Sequence, residues 1–417
     1  MLDQRRFRLA FWAIVGIAGL WRVLYVLVSK DSDPLVGDQI YYSAQASTIA
    51  NGGWFADPFV PGTYAADHAP LTSLSLAPVS WPETDPVMLQ RLLTAVYGTA
   101  VVAGIGVLAR WLFGRRVALI ATAIAALYAN LWMNDALIMS ETLAAGGVVA
   151  ILFVAYVYDE RRRYSVALVF GMVIGVAGLA RAELLLLGPM LALPMMLFSR
   201  TDRAIGRTQR IAHLATAGAA ALLVVSPWVI RNQIRFEEPT TISTQDGLLL
   251  LGTNCEPAYE GSGRGFWLLS CLELVDTPPG ADQSERSAAY REYALNYLTD
   301  NADQLPGVVA ARLGRGLSLW QTDAMTFLNV GEGRERWASQ IGLWQFWLLT
   351  PLAAFGLWRW PSRQPRWPLV VTGSLALIMI IAFYGIPRFR IPAEIGIVLC
   401  AAVAIDQLWR RATRKID

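Results

Sequence analysis

The chain has 417 residues, of which 55% are hydrophobic and only 16% are charged. Soluble domains carry about 25% charged residues, so this composition excludes an ordinary soluble protein. Apolar runs of roughly 20 residues recur along the chain, and runs of that length cross a bilayer as α-helices. The sequence therefore predicts an all-α polytopic membrane protein embedded in the lipid bilayer. The net charge of +3 gives no indication of a nucleic-acid partner, and none is expected.

Ten transmembrane helices are predicted from the apolar runs. They cover residues 9–28, 89–113, 117–133, 136–158, 164–180, 184–198, 211–230, 341–358, 367–384 and 391–409. The first run lacks a small-residue cleavage site followed by a clear mature domain, so we expect a retained helix rather than a signal peptide. The sixth run is short and contains Pro189 and Pro194, so the helix count is most open to change there.

Basic residues mark the ends of the predicted helices on one side of the membrane. They are Arg5, Arg6, Arg8, Arg115, Arg116, Arg161, Arg162, Arg163, Arg200, Arg203, Arg207, Arg210, Arg359, Arg363, Arg366, Arg410, Arg411, Arg414 and Lys415. Because cytoplasmic loops are rich in Lys and Arg, both termini are predicted to lie in the cytoplasm, at the inner (plasma) membrane. The chain then divides into an N-terminal transmembrane catalytic module (1–230) that includes an external loop (29–88), an external segment (231–340) and C-terminal helices (341–417).

The stretch Val36-Gly37-Asp38-Gln39-Ile40-Tyr41-Tyr42 places a carboxylate just beyond the first helix, on the external side. Two interpretations of Asp38 stay open. Aspartate is favoured at helix N-termini, so Asp38 is a candidate cap for a helix at 39–51. A carboxylate held close to so much apolar chain is also a candidate general base. Asp67 and His68, farther along the same loop, are either substrate contacts or ordinary loop residues.

Further acidic residues lie at or near the external ends of the predicted helices. They are Asp57, Asp135, Glu141 and Glu183. Glu141 lies inside an apolar helix, where an unpaired carboxylate costs several kcal/mol, roughly, so it is either ion-paired or lines a wet cavity. Asp135 is either a helix cap or a substrate contact.

Arginines flank the same face as these acids, against the positive-inside pattern, and four of them are candidate ligands. They are Arg181, Arg231, Arg388 and Arg390. A guanidinium matches phosphate oxygens bidentately, so an anionic ligand is one explanation. The alternatives are an ion pair of Arg181 with Glu183, and contacts of Arg388 and Arg390 with outer-leaflet phospholipids.

Three cysteines are present, and two of them, Cys255 and Cys271, fall 16 residues apart in the external segment. In an oxidising compartment this favours a disulfide over two free thiols. Two histidines and no CxxC motif give no spacing typical of a transition-metal cluster. Polar or amphipathic stretches at 284–300 and 305–319 are predicted to form helices at the membrane surface.

A set of motifs follows in order along most of the chain. They are Asp38 with Tyr41 and Tyr42, Gly53-Trp54, Pro70-Leu71, Met139 to Leu143, Gly178 to Arg181, Ser226 to Asn232, Thr241 to Thr244, and Arg388 to Glu394. This ordered set resembles the glycosyltransferase C superfamily. It is similar to the dolichyl-phosphate-mannose-protein mannosyltransferases and their bacterial relatives, including the lipid A aminoarabinose transferase.

The resemblance implies an inverting membrane glycosyltransferase, a hexosyl- or pentosyltransferase, that acts on the outer face. Its donor would be a polyprenyl-phosphate sugar, and its acceptor a hydroxyl of a cell-envelope glycan, lipid or protein. Asp38 matches the family's general base, and the expected donor-phosphate ligands are Arg181, Arg388 and Arg390. The expected substrate-binding residues are Tyr41, Asp67, His68, Asp135, Glu141 and Arg231.

Some members of the superfamily have a metal or a second acid beside the first-loop acid. Here Gln39 follows Asp38, so no obligatory cofactor is expected, and a divalent metal near Asp38 stays open. The alternative functions are a polyprenyl-lipid transporter or flippase and a non-catalytic membrane partner of another enzyme. Neither needs a proton acceptor, so a test of sugar transfer separates them from the enzyme.

Overall fold

The fold is known from a computed structural model. The described residues are 3–81, 85–198 and 206–413. Arg200 and Arg203 of one predicted cytoplasmic loop, and Arg414 and Lys415 near the C-terminus, lie outside them. Within the described residues the chain is helical, with no β-strand and one isolated β-bridge in the first external loop. The predicted all-α fold is confirmed.

The α-helices of the described residues are numbered in chain order. They are α1 (Gln4–Ser29), α2 (Asp38–Ala50), α3 (Leu71–Leu76), α4 (Pro86–Phe113), α5 (Arg115–Leu127), α6 (Ala129–Trp132), α7 (Glu141–Arg161), α8 (Tyr164–Ala180), α9 (Leu187–Leu193), α10 (Arg207–Arg235), α11 (Gln245–Thr253), α12 (Glu256–Tyr259), α13 (Gln283–Asp300), α14 (Leu305–Gly316), α15 (Thr322–Gly331), α16 (Arg336–Trp358), α17 (Trp367–Ala382) and α18 (Ile391–Thr413).

Six helices among the described residues are long and apolar enough to cross a membrane: α1, α4, α7, α10, α16, and α18 with the turn before it. Three shorter apolar stretches accompany them, namely α8, Ala182–Leu197 and α17. These helices make the chain a multi-pass membrane protein. α5 and α6 occupy the remaining predicted span.

The third predicted span differs from the structure at Tyr128. Helix α5 ends at Leu127, Tyr128 is extended (φ −72°, ψ 111°), and only the single turn α6 follows. The Tyr128 hydroxyl donates to the buried carboxylate of Glu394 in α18. The residue at the break thus has a polar partner that is distant in sequence. The fourth predicted helix also begins later than expected, at Glu141, after a buried turn that contains Asp135.

The sixth predicted span consists of three short pieces. They are a 3₁₀ turn at Ala182–Leu186, the helix α9, and a π-helical turn at Pro194–Phe198. Pro194 has no backbone N–H and cannot continue the α-helical hydrogen bonds, so the change of helix type at this residue has a local cause.

Small residues let the helices that position the site approach each other closely. A Cβ atom at Gly171 in α8 would clash with the carbonyl oxygen of Ala217 in α10. A Cβ atom at Gly356 in α16 would clash with the carbonyl oxygen of Cys400 in α18. Close packing of this kind is a main source of helix association inside a bilayer, where apolar burial gives little driving force.

The two external segments cover the same end of the helix bundle. Helices α2 and α3 belong to the first segment, and α11 to α15 belong to the second. A disulfide joins Cys255 to Cys271 in the second segment. Gln283, at the start of α13, donates to the Asp57 carboxylate in the first segment at 2.9 Å. The two segments are therefore fastened to each other above the membrane-spanning helices.

Candidate active site

Charged side chains from five parts of the chain converge beneath the external segments. This ionic cluster comprises Asp38, Glu141, Arg181, Glu183, Glu332, Arg334 and Arg388. Its members come from the starts of α2 and α7, the turn after α8, and the turns before α16 and α18. The cluster thus lies at the ends of the apolar helices, where charged groups avoid the hydrocarbon of the bilayer.

Asp38 is the first residue of α2, and its side chain is 31% exposed. Gly37, with a φ of +56°, occupies the N-cap position. The Asp38 carboxylate accepts a hydrogen bond from Arg388 at 2.9 Å, and Nε2 of His68 lies 3.8 Å from its other oxygen. These contacts favour an ion-paired carboxylate over a capping role for Asp38.

The surrounding charges keep Asp38 ionised. Burial would raise the pKa of its carboxyl, but Arg388, with His68 and Arg181 contributing, lowers the pKa from 3.8 to about 2. A carboxylate with so low a pKa is a weak proton acceptor while it stays paired. The basicity of Asp38 therefore depends on whether Arg388 remains in contact with it.

Arg388, in the 3₁₀ turn before α18, lies at the centre of the cluster. One terminal nitrogen is 2.9 Å from Asp38, 3.1 Å from Glu332 and 3.9 Å from Glu141. The other terminal nitrogen donates to the Tyr384 hydroxyl at 3.0 Å. Three carboxylates share one guanidinium, and an incoming anion would compete with all three for it.

Arg181, in the turn after α8, occupies the other half of the cluster. It donates to Glu141 at 3.1 Å and to Glu183 at 2.6 Å. The Glu141 side chain is only 1% exposed, and its second carboxylate oxygen has no hydrogen-bond partner within the described residues. Glu141 is thus an ion-paired buried acid, which is one of the two interpretations open from its sequence.

Glu332 and Arg334 belong to the cluster although the sequence analysis did not select them. Arg334 pairs with the Glu332 carboxylate and donates to the side-chain oxygen of Asn134 at 2.8 Å. The Gln39 amide donates to the Glu332 backbone carbonyl at 3.1 Å. Glu332 is thus held firmly where it meets Arg388. The sequence feature that could have pointed to Glu332 is Arg334, a further arginine on the external side.

Tyr41, Tyr42 and His68 form an aromatic wall beside Asp38. The rings of Tyr42 and His68 are stacked with centroids 4.6 Å apart, and Tyr41 meets His68 edge-on at 5.1 Å. His68 Nε2 lies 3.8 Å from Asp67 as well as from Asp38. Burial raises the pKa of the Tyr42 hydroxyl, so that hydroxyl stays protonated. The first external loop therefore brings Tyr41, Asp67 and His68 together next to Asp38.

Asp135 lies outside the ionic cluster. Its carboxylate accepts hydrogen bonds from Arg22 in α1 and from the Thr142 hydroxyl in α7, both at 2.7 Å. Gly98 in α4 leaves the space for it, because a Cβ atom at Gly98 would clash with the carboxylate. Asp135 therefore joins α1, α4 and α7 through a buried ion pair, and its contacts are not those of a helix cap.

Arg390, two residues from Arg388, points away from the cluster. It donates to Glu394 at 3.2 Å and to the Ser318 hydroxyl at 2.7 Å. Its guanidinium lies 3.8 Å from the centre of the Phe346 ring. Two of the three expected phosphate ligands, Arg181 and Arg388, are brought together, and Arg390 is not.

Arg231, at the end of α10, also lies apart from the cluster. It donates to the backbone carbonyls of Phe55 at 2.7 Å and Ala65 at 3.0 Å. Its guanidinium stacks on Trp228 at 4.9 Å from the ring centre. These contacts fasten the first external loop to α10.

An apolar groove of about 760 Å³ runs between α4, α7 and α8. Its outer end includes Leu71, Thr142 and Ala180; Thr142 follows Glu141 in the chain, and Ala180 precedes Arg181. From Thr142 to Phe153 the groove follows α7 for about 17 Å, at roughly 1.5 Å per residue. An apolar groove of this length, with Glu141 and Arg181 next to its lining residues in the chain, is suited to an amphiphile with an anionic head.

Few side chains near Asp38 could bind a metal ion. No group of three His, Cys, Asp or Glu side chains within the described ranges is arranged to hold a metal ion. His68 Nε2 lies 3.8 Å from Asp38 and 3.8 Å from Asp67. Gln39 is turned away, since its amide oxygen accepts from the backbone of Ile138 at 3.3 Å.

The overall fold is similar to that of solved archaeal oligosaccharyltransferases. The archaeal oligosaccharyltransferase AglB from Archaeoglobus fulgidus, solved with an inhibitory peptide and a dolichol-phosphate, is similar with a TM-score of 0.56 and 16% identity. The match covers 97% of this chain and 51% of AglB. An oligosaccharyltransferase from the same organism, solved in the apo form, gives a TM-score of 0.56, 15% identity, and coverages of 97% and 52%. The fold implied by the sequence resemblance is thereby confirmed.

Residues 85–230 match the sequence model of the dolichyl-phosphate-mannose-protein mannosyltransferase family. ArnT from Cupriavidus metallidurans, bound to undecaprenyl phosphate, gives a weaker likeness, with a TM-score of 0.42, 16% identity, and coverages of 97% and 77%. No curated protein sequence matches the chain. The chain spans about half the length of the oligosaccharyltransferase structures it resembles.

Proposed function

We propose that the protein is an inverting glycosyltransferase that moves one sugar from a polyprenyl phosphate to an acceptor hydroxyl. The observation that carries this proposal is the Asp38–Arg388 pair in an ionic cluster that adjoins the outer end of an apolar groove. A lipid-linked donor has both matching parts, an apolar tail and a phosphate. The family match over residues 85–230, and the likeness to an enzyme solved with a dolichol-phosphate, support the same class of donor.

The donor would bind with its polyprenyl tail in the groove and its phosphate at the cluster. Arg181 and Arg388 are the two cluster arginines nearest to Glu141, which precedes the groove residue Thr142. Their guanidinium groups would form charge-assisted hydrogen bonds to the phosphate oxygens. The same bonds stabilise the phosphate as the sugar leaves it, because the negative charge on the leaving oxygen grows in the transition state.

Asp38 would act as the general base. The acceptor oxygen attacks the anomeric carbon, the bond from that carbon to the phosphate oxygen breaks, and the electron pair leaves with the polyprenyl phosphate. The acceptor proton passes to the Asp38 carboxylate. Attack from the face opposite the phosphate inverts the anomeric configuration.

Arrival of the donor would also activate Asp38. Arg388 is the largest cause of the lowered pKa of Asp38, and an incoming phosphate competes for the same guanidinium. When the phosphate takes over part of that interaction, the pKa of Asp38 rises towards its ordinary value. The carboxylate is then a better base when a donor is present than in the empty site.

The site would face the non-cytoplasmic side of the inner (plasma) membrane, with both termini in the cytoplasm. Basic residues at the opposite helix ends support this orientation. A cysteine at Ser32 should react with an impermeant maleimide in intact cells, and a cysteine at Ser362 only after permeabilisation. The reverse labelling pattern would contradict the orientation.

The decisive experiment follows both products of the reaction. Purified protein is incubated with a panel of radiolabelled polyprenyl-phosphate hexoses and pentoses and a cell-envelope extract as acceptor. We expect labelled acceptor and free polyprenyl phosphate in equal amounts. Asp38→Asn should fold normally and lose about 10²- to 10⁴-fold in rate, as expected for removal of a general base.

Asp31→Asn is the matched control, because Asp31 is an exposed acid in the same external loop. It should transfer sugar at the wild-type rate. Full activity of a folded Asp38→Asn variant would contradict the proposed role of Asp38 as general base. Movement of intact labelled donor across the membrane, without release of polyprenyl phosphate, would instead identify a transporter.

A further inference from the structure

A second charged cavity lies at the opposite end of the helix bundle from the ionic cluster. Its volume is about 480 Å³, and we call it the arginine–tryptophan cavity. It is lined by Trp358, Arg359, Trp360, Gln407, Arg410 and Arg411. Helix α16 separates the two sites: it begins next to the cluster and ends at the cavity, about 34 Å away at roughly 1.5 Å per residue. The cavity thus lies at the other membrane surface.

The cavity carries an excess of positive charge. Arg410 forms an ion pair with one oxygen of the Asp406 carboxylate at 2.8 Å, and the second Asp406 oxygen is 2.9 Å from Arg116. Among the described residues, neither Arg359 nor Arg411 has a carboxylate within 4.0 Å; the guanidinium of Arg359 lies over the Trp358 ring. Two guanidinium groups therefore face the cavity without a counter-charge from the described chain.

The walls of the cavity are fixed by hydrogen bonds. The Gln407 amide in α18 donates to the backbone carbonyl of Arg359 at 2.8 Å, which joins the ends of α16 and α18. The Trp360 indole donates to the Gln364 carbonyl at 2.7 Å, and its ring packs edge-on against Phe113. These contacts fix Gln407 and Trp360 between the ends of α16 and α18.

The position of the cavity identifies the kind of ligand. The Trp358 side chain is 69% exposed at the end of an apolar helix, which is where tryptophan meets the headgroup layer of a bilayer. Lipid phosphates lie at the same depth, and basic pockets at membrane-crossing helix ends bind anionic headgroups. A guanidinium fork bonds two phosphate oxygens at once. We propose that the arginine–tryptophan cavity binds the phosphate headgroup of an anionic membrane lipid.

This inference is independent of sugar transfer, and its test measures binding alone. Native mass spectrometry of the detergent-solubilised full chain would count bound phosphatidylglycerol, with phosphatidylcholine as the zwitterionic comparison. We expect one tightly held phosphatidylglycerol at the cavity. The variant R359Q/R411Q should bind it about 30-fold more weakly, since each arginine near the membrane surface contributes on the order of 1 kcal/mol and 1.4 kcal/mol is tenfold.

The matched control is R5Q/R8Q, which removes the same charge from exposed positions near the start of α1, on the same membrane surface. It should retain the lipid with wild-type affinity. An equal loss of lipid affinity in both variants would overturn the proposal, because it would show that only the net charge of the protein matters. Equal retention of phosphatidylcholine by the wild type would overturn it too.

Inorganic phosphate distinguishes a lipid from a soluble anion. It should displace phosphatidylglycerol only at far higher concentration than the lipid itself. Displacement at an equal concentration would show a soluble-phosphate site and overturn the lipid assignment. If R359Q/R411Q does not fold, the single variant R411Q changes one exposed side chain and should weaken lipid binding about fivefold. Unchanged binding would again overturn the proposal.

Discussion

Arg388 donates to the carboxylate of Asp38 at 2.9 Å, across 350 residues of sequence. The contact joins the first external loop to the turn before the last helix. It also connects two roles that the proposed reaction needs, because the guanidinium that would bind the donor phosphate is the one that lowers the basicity of Asp38. The pair therefore links donor binding to base activation.

Replacement of Arg388 by glutamine should impair both donor binding and the chemical step. We expect kcat/KM to fall about 10²- to 10³-fold, with KM for the donor raised, because a cluster cation and a transition-state contact are lost together. Steady-state kinetics with a labelled donor measure this. Arg390→Gln is the control two residues away: its contacts with Glu394 and Ser318 predict lower thermal stability without a selective rise in KM. If Arg390→Gln instead raises KM selectively and Arg388→Gln only lowers thermal stability, Arg390 is the phosphate ligand.

The Asp38 ion pair should also be visible in the pH dependence of stability. The pKa of Asp38 in the folded protein is about 2, below its ordinary value of 3.8. A lowered pKa stabilises the folded state above about pH 4, and this stabilisation is lost as the pH falls through about 2. The difference in Tm between wild type and Asp38→Asn should therefore be constant above about pH 4 and shrink below it. Thermal unfolding in detergent measures it, and a constant difference down to pH 2 would contradict the ion pair.

Hydropathy and arginine placement predicted the fold class and the side on which the acids collect, because both follow from the local cost of charge in hydrocarbon. The break at Tyr128 was not predictable, since its flanks are apolar and its partner Glu394 is 266 residues away. For a similar reason, the sequence could not show which of Arg388 and Arg390 belongs to the ionic cluster. The two residues share a 3₁₀ turn and differ only in the direction their side chains take.

Glu332 was not selected from the sequence, because the external segment 231–340 was expected to contribute only Arg231 to the site. Its only local mark is Arg334, and its position depends on Arg334, Gln39 and the fold of the second external segment. By contrast, Asp38, Glu141 and Arg181 could be selected, because an acid or a misplaced arginine at a membrane boundary needs a partner. The sequence thus identifies charged residues that need partners, but it does not identify those partners.

The apolar groove predicts a substitution that acts on the lipid tail alone. A Cβ atom at Gly146 would meet its nearest neighbour, a Val101 methyl group, at an ordinary 3.5 Å, so Gly146→Leu should fold and fill the groove. We expect KM for a long-chain polyprenyl donor to rise about tenfold, equal to roughly 1.4 kcal/mol of lost apolar contact. A donor with only two isoprene units should be little affected. Gly16→Leu in α1, with open space around its Cβ, is the control, and equal effects on both donors would argue against a tail in the groove.

The buried Arg22–Asp135 pair predicts a loss of stability rather than a loss of substrate contact. Arg22→Met leaves the Asp135 carboxylate buried without its cation, which should cost about 3–5 kcal/mol. Adding Asp135→Asn should recover part of that loss, since a neutral amide tolerates burial better. Chemical unfolding of the single and double variants measures the coupling. A stable Asp135→Asn variant with a raised donor KM would restore the substrate-binding role expected from sequence.

Gln39 provides a test of whether the site depends on a second acid. Its buried amide donates to the Glu332 carbonyl at 3.1 Å and accepts from the Ile138 N–H at 3.3 Å, so it links α2 to two other parts of the site. Gln39→Glu removes the donor and adds a negative charge beside Asp38. We expect a loss of about 1–3 kcal/mol in stability and lower activity that added Mn²⁺ does not restore. Asn51→Asp makes the same amide-to-acid change at the exposed end of α2 and should leave activity unchanged. Activity of Gln39→Glu that rises above wild type with Mn²⁺ would instead identify a metal-dependent site that an acidic pair completes.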